Sequence, residues 1–244
     1  MIERAAGREP LAALLFGKQS RASAEQIAVH ADRTQAFTLL NAENALPGSA
    51  ELLRDGLTFD LTGLTPTAPV TMPEAVHRVA LPKDLTPDTL EAAAFAVGPH
   101  LAGAENLMPV VRVAAAIMSA LSELEGLEAI VWRPARIVMS PVWFAEAVGI
   151  WLAGGPFPAF ALTALARCRE GLESDGLAFF TGQEFTLQAR GGAPDREDSR
   201  IAVRLTDWLV AHGRVESARE VVLAGVGAVW LEPDGRGRLN AAAR

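Results

Sequence analysis

The residues of this 244-residue chain best suited to chemistry lie in Thr181-Gly182-Gln183-Glu184, a polar turn between the apolar stretches Gly176–Thr181 and Glu184–Leu187. Glu184, close in sequence to Phe180 and Phe185, could act as a buried general base, a role that needs a carboxylate within reach of the proton it takes. The competing reading is structural: Thr181, Gln183 and Glu184 would satisfy backbone groups at a β-bulge about Gly182. Arg133 and Arg136, which flank Pro134, could bind an anion or could snorkel over an apolar edge while reaching water. Cys168 sits between Arg167 and Arg169 with no histidine near it in sequence. In a strand both arginines would turn to the opposite face, which leaves a half-buried structural cysteine rather than a nucleophile.

No stronger constellation is present. The sequence lacks a G-x-S-x-G elbow, an H-E-x-x-H helix and a Walker loop, and Gly225-Val-Gly227 lacks the third glycine and strand-to-helix context of a dinucleotide site. His30, His77, His100 and His212 are dispersed, and only His30 has a carboxylate close by, on Asp32. Neither a metal site nor a cofactor is expected from that spacing. The expectation is a binding or assembly module. The alternative is a small hydrolase or transferase in which Glu184 works with a histidine brought near by folding.

Composition narrows the partners. Half of the residues are hydrophobic, as in a globular protein, and the net charge of -7 with no Lys/Arg cluster argues against nucleic acid, whose phosphates demand clustered cations. The apolar stretch Ala147–Leu165 has the length of a membrane span, but Gly154-Gly155-Pro156 and Pro158 break it into a helix, a turn and a strand. The opening run Leu11–Phe16 is short, follows scattered charges and leads to Lys18 and Arg21, unlike a signal peptide. With one cysteine and so no internal disulfide, a cytoplasmic location is expected.

The elements that must position these residues read as an α+β fold, with mixed, largely antiparallel sheets packed with helices. Residues 1–33 read as a helical appendage, with helices near 9–16 and 22–31, the latter capped by Ser20 or Ser23. A single α+β domain is expected over 34–233. Its strands fall at Ala36–Leu40, Leu57–Thr62, Val76–Leu81, Ala129–Trp132, Arg136–Met139, Ala159–Arg167 and Val221–Leu231, with a strand pair or one bent strand at 176–187. A short helix is expected at Pro47–Leu53, and a longer one after Asp84 or Thr86 with Leu90, Ala93, Ala94 and Val97 on its face. The i, i+3, i+4 spacing of Leu107, Val110, Val111, Ala114, Ile117, Met118, Leu121 and Leu124 predicts another helix, and Ile201, Leu205, Trp208 and Leu209 one more. Thr62–Pro73, rich in proline and threonine, reads as a mobile or partner-facing loop. Gly235-Arg-Gly237 opens a tail, 234–244, expected to be disordered. Ala129-Ile-Val-Trp132 echoes Ala228-Val-Trp230, so two quasi-repeated halves are an option.

Ser140-Pro141 supplies an N-cap and a first-turn proline for a helix over 141–153. Phe144, Ala147, Val148 and Trp151 form one face, whereas Trp143 and Ile150 point elsewhere and only Glu146 interrupts the apolar surface. A helix apolar all round must be covered on both sides, by its own domain or by a second chain. A homodimer through helix 141–153, with Trp143 and Ile150 at its centre, is the partner reading that follows. No membrane partner is expected, and any other protein or small-molecule partner is open.

Four segments carry a family resemblance: Val113-Ala-Ala-Ala-Ile-Met-Ser-Ala-Leu121, Ala129-Ile-Val-Trp-Arg-Pro-Ala135, Ser140-Pro141 with Phe144, and Gly176-Leu-Ala-Phe-Phe-Thr-Gly-Gln-Glu-Phe185. Over roughly residues 34–232 the chain resembles DUF4261, a bacterial domain of unknown function. The resemblance implies an α+β domain without an assigned activity and carries over no catalytic residues. The Thr62–Pro73 loop departs from that pattern, as does the lack of a separate strand before the long helix.

Overall fold

An apolar run without polar interruption, such as Leu11–Phe16, belongs where both faces of an element are covered. In the computed structural model, which describes residues 9–40 and 46–244, this run forms strand β1 (Ala12–Phe16), and all five of its residues are buried. The appendage expected over 1–33 is therefore corrected over 9–33, residues 1–8 lying outside the described residues, because β1 lies inside an eight-stranded sheet with a strand paired on either side. Helix α1 (Ala24–Thr34) follows. Its start is set by a capping box, in which the Ser23 hydroxyl accepts from the Gln26 N–H while the Gln26 side chain accepts from the Ser23 N–H.

The rest of the first unit, which ends at Ala153, comprises β2 (Thr38–Leu40), β3 (Ser49–Arg54), β4 (Leu57–Thr62), β5 (His77–Val79), β6 (Glu91–Val97), α2 (Met108–Leu121), β7 (Leu127–Trp132), β8 (Ile137–Met139) and α3 (Pro141–Leu152). The strand order is β2-β3-β4-β6-β1-β7-β8-β5, with every pairing antiparallel except β5 with β8. Within it, α2 connects β6 to β7 across the single strand β1, a split βαβ unit, whereas α1 leads from β1 across β6, β4 and β3 to the edge strand β2. Two sequence expectations change here. Ser49–Arg54 is a strand rather than a helix, and Glu91–Val97 is a strand preceded by a single 3-10 turn at Pro87–Thr89.

The sheet has two apolar faces. Leu14, Phe16, Phe95, Ile130 and Trp132 are fully buried on one, where Phe59 stacks on Phe95 with ring centroids 5.2 Å apart. On the other, Ala13, Leu15, Ala92, Ala129, Val131 and Val138 pack beneath Val70, Met72, Ala75, Leu81, Leu85 and Leu90. The proline-rich segment expected as a mobile or partner-facing loop is thus a cover for the sheet. It is pinned where Val70 N–H donates to Ala92 C=O at 2.9 Å and where Thr65 N–H donates to Ala22 C=O at 3.0 Å. Burial of each large side chain on such a face contributes roughly 1.5–3 kcal/mol.

A second compact unit, Gly154–Arg244, replaces the single domain expected over 34–233. Its elements are α4 (Ala159–Leu162), β9 (Ala164–Arg167), β10 (Gly171–Asp175), α5 (Ala178–Thr181), β11 (Glu184–Gln188), α6 (Arg196–His212), β12 (Arg219–Leu223), β13 (Gly227–Pro233) and β14 (Arg238–Ala243). The sheet order is β12-β13-β14-β11-β10-β9, and only β11 and β14 run parallel. Ile201, Leu205 and Leu209 of α6 join Phe185, Leu187, Val229, Leu231 and Leu239 in one core. The tail expected to be disordered instead supplies β14, an interior strand whose Leu239 and Ala241 are buried. Ala159–Leu162 and Ala178–Thr181 are single helical turns rather than strand, and the expected last strand is the β12–β13 hairpin.

Both sheets are largely antiparallel and carry helices, so the fold is α+β. The echoing segments lie in β7, which a crossover helix precedes, and in β13, which a hairpin precedes, and they make no structural repeat. No helix among the described residues is long and apolar enough to cross a membrane.

Candidate functional site

The turn Thr181–Glu184 is built by backbone groups that lack partners of their own. Helix α5 is a single turn, so the first N–H groups at its start need acceptors from outside it. Glu184 supplies them: Oε1 accepts from Ala178 N–H at 2.8 Å, and Oε2 accepts from Leu177 N–H at 3.2 Å and from the Ser174 hydroxyl at 2.5 Å. Ser174, itself buried, passes the network on by accepting from Phe185 N–H at 2.8 Å. The carboxylate therefore works as a cap across β10, α5 and β11.

Gln183 is just as fully engaged. Its amide donates to Val215 C=O at 3.1 Å while its oxygen accepts from Val215 N–H at 2.8 Å, a two-bond clamp on the chain leaving α6. The Thr181 hydroxyl donates to Gln183 C=O at 3.0 Å and accepts from Gln183 N–H at 3.2 Å. Gly182 at φ +75° makes the left-handed step that closes α5, and the bent strand expected there is a helix end instead.

Beside Gln183 opens a cleft of about 450 Å³ edged by Arg214, Glu216, Pro233, Gly235 and Gly237. Its glycine turn resembles an anion cradle, but two of its N–H groups are turned onto the Asp234 carboxylate, which accepts from Arg236 N–H at 2.7 Å and from Arg238 N–H at 3.0 Å. Those two bonds hold the Asp234 carboxyl below its usual range. A second cleft, about 680 Å³, runs between α1 and the β2–β3 hairpin, where Arg54 donates to Ala36 C=O at 2.8 Å and lies 3.5 Å from Asp55.

Arg133 and Arg136 are not brought together on a ligand site. Arg133 Nε donates to Pro10 C=O at 2.7 Å, and its guanidinium pairs with Glu9. Arg136, at φ +49°, pairs with Glu74 at 3.6 Å. Both tie down segments that run along the sheet of the first unit. Cys168 lies in the β9–β10 turn, where its N–H donates to Gly171 C=O. Among the histidines only His212 shares the second unit with Glu184; it stacks on Trp208 at 4.2 Å and bonds the Trp208 carbonyl. No group of three or more metal-binding side chains occurs among the described residues.

Helix α3 is the sequence candidate that faces water. Phe144, Val148 and Trp151 are buried, and Arg112 lies 4.6 Å over the Trp151 ring while donating to Leu152 C=O at 3.3 Å. On the opposite side Ile150 is 62% exposed, Val142 66% exposed and Trp143 half-buried. Gly149 leaves open space beside Ile150, with no atom within 4 Å of where a Cβ would stand. Ser140 occupies the N-cap position, but its side chain makes no capping bond, contrary to the sequence expectation.

Two functional-looking residues escape a motif search. Val142 belongs to the exposed face by its i, i+4, i+8 spacing with Glu146 and Ile150, a signal legible in the sequence. Ser174, which positions Glu184, has no such signal, since only strand pairing brings it close. No known protein family, no curated protein and no solved structure matches the chain.

Proposed function

We propose that this protein is a binding or assembly module that associates through α3, with a second copy as the partner, rather than a catalyst. The observation that carries this reading is the contrast between its two polar and apolar candidates. Every side-chain oxygen of the Glu184 cluster is spent on backbone groups or on Ser174, whereas Val142 and Ile150 present exposed apolar surface beside the half-buried Trp143. Large apolar side chains gathered on one exposed helix face mark association surfaces in soluble proteins. The resemblance to DUF4261 brings no catalytic residues that would argue otherwise.

Sedimentation velocity across a concentration series tests the reading. Wild-type protein is expected to self-associate, and Ile150→Glu, which places a charge where water would be excluded, is expected to weaken that association at least tenfold without lowering the melting temperature. Undiminished association of a folded Ile150→Glu variant would overturn it.

A further inference from the structure

Strand β12 ends the six-stranded sheet and pairs on one side only, with β13. Edge strands of this kind are normally guarded by a bulge, a proline or a lysine, because their free N–H and C=O groups template further pairing. β12 has no bulge, proline or lysine, and its charged residues, Arg219 and Glu220, stand only at its start. Its sequence is Arg-Glu-Val-Val-Leu, its register with β13 runs unbroken through five residue pairs, and the outward backbone groups of 219–223 have no partner among the described residues. Val222, on the solvent side of this strand, is 76% exposed, more than any other large hydrophobic side chain described.

We propose that β12 pairs edge to edge with β12 of a second copy, antiparallel about a twofold axis at Val222, so that the sheet continues across the dimer. The register follows from the side chains, since residues directly opposite each other in an antiparallel pair share a face and twofold pairing puts each residue opposite its reflection about the axis. An axis at Glu220 would set two Glu220 carboxylates against each other, and one at Val221 would set Glu220 against Val222 and Arg219 against Leu223. An axis at Leu223 would run the pairing into the turn in which Val226 N–H already holds the Leu223 carbonyl. Centred on Val222, the pairing sets Val222 against Val222, Val221 against Leu223 and Glu220 against Ala224. Apolar meets apolar, and no like charges oppose. This edge is separate from α3 and adds a second association surface to the reading above.

The test uses the full-length chain in sedimentation velocity together with register-specific cross-linking. Val222→Lys, a charge of the kind that guards natural edges, is expected to weaken this contact at least tenfold with an unchanged far-UV spectrum and melting temperature. In a Cys168→Ser background, Val222→Cys is expected to form a disulfide-linked dimer under mild oxidation, because its two copies oppose each other, while Glu220→Cys is expected not to. Equal cross-linking of the two cysteine variants, or association unaffected by Val222→Lys in a folded protein, would overturn the proposal. The two surfaces are told apart by their variants. If α3 fails and β12 stands, Val222→Lys alone yields monomer and Ile150→Glu changes nothing; if both stand, only the double variant is monomeric.

Discussion

Arg21 Nε lies 2.9 Å from Glu91 Oε2, and the same guanidinium donates to the carbonyls of Gly63 and Thr67. One side chain thus fastens three parts of the fold: the chain leaving β1, the end of β4 with the proline-rich cover, and the first residue of β6. The Arg21 side chain is only 8% exposed, so its charge is compensated within the protein.

The hydrogen bond from Arg21, reinforced by its charge, holds the Glu91 carboxyl below its usual range. A carboxyl that is more acidic in the folded protein supplies stability above its unfolded value, about 4.3, and that stability is lost as pH falls through the lower folded value. Acid titration of the melting temperature is expected to show a smaller loss below pH about 4.3 in Glu91→Gln than in wild type. Arg21→Ala, which leaves the Gly63 and Thr67 carbonyls without a donor, is expected to cost about 1–3 kcal/mol in urea unfolding at neutral pH.

β1 yields the sharpest stability prediction. Because Leu14 is fully buried between β6 and β7, Leu14→Ala is expected to destabilise by about 2–5 kcal/mol. Deleting residues 1–20 removes an interior strand and exposes the edges of both neighbours, so the truncated protein is expected to lose its cooperative thermal transition. A truncated chain that melts cooperatively would show that the sheet closes without β1.

The Gln183 clamp separates structural from catalytic use of the 181–184 turn. Gln183→Leu preserves volume but strands the N–H and C=O of Val215, with an expected loss of about 2–4 kcal/mol in chemical denaturation. Glu184→Ala is expected to destabilise as well, since three donors lose their acceptor. A stable, soluble Glu184→Ala protein with unchanged unfolding would argue that the carboxylate is held for chemistry instead.

Amphipathic helices and the β-branched strands β7 and β8 were legible in the sequence, and the alanine-rich strands buried on both faces were not. The periodicity from Leu107 to Leu121 and from Ile201 to Leu209 marked α2 and α6 because each has one polar side. Ala12–Phe16 and Glu91–Val97 have no such contrast: their Ala and Leu fit helix and strand alike, and the proline-rich cover that buries their second face is distant in sequence. The tail misled for a related reason, since Gly235 and Gly237 form a tight turn rather than a frayed end, and β14 earns its place through pairing with β11, some fifty residues earlier in the chain. At the 181–184 turn the polar residues were visible, but their partners Ser174 and Val215 arrive only through tertiary structure.

Glu146 offers a test of what α3 meets. It is exposed at the middle of the helix, between Val142 and Ile150 on the same face, so in a twofold contact centred there it would oppose its own symmetry mate. Two carboxylates about 4 Å apart in a wet interface repel by about 1 kcal/mol, which corresponds to roughly fivefold in Kd. Glu146→Gln is therefore expected to tighten self-association several-fold in sedimentation equilibrium at low salt, with the difference shrinking as salt is raised. A partner that instead brings a lysine or arginine to this position reverses the sign, because Glu146→Gln would then remove an attraction. Weakened self-association in Glu146→Gln would place a basic residue of the second copy opposite Glu146 and exclude the symmetric α3 contact.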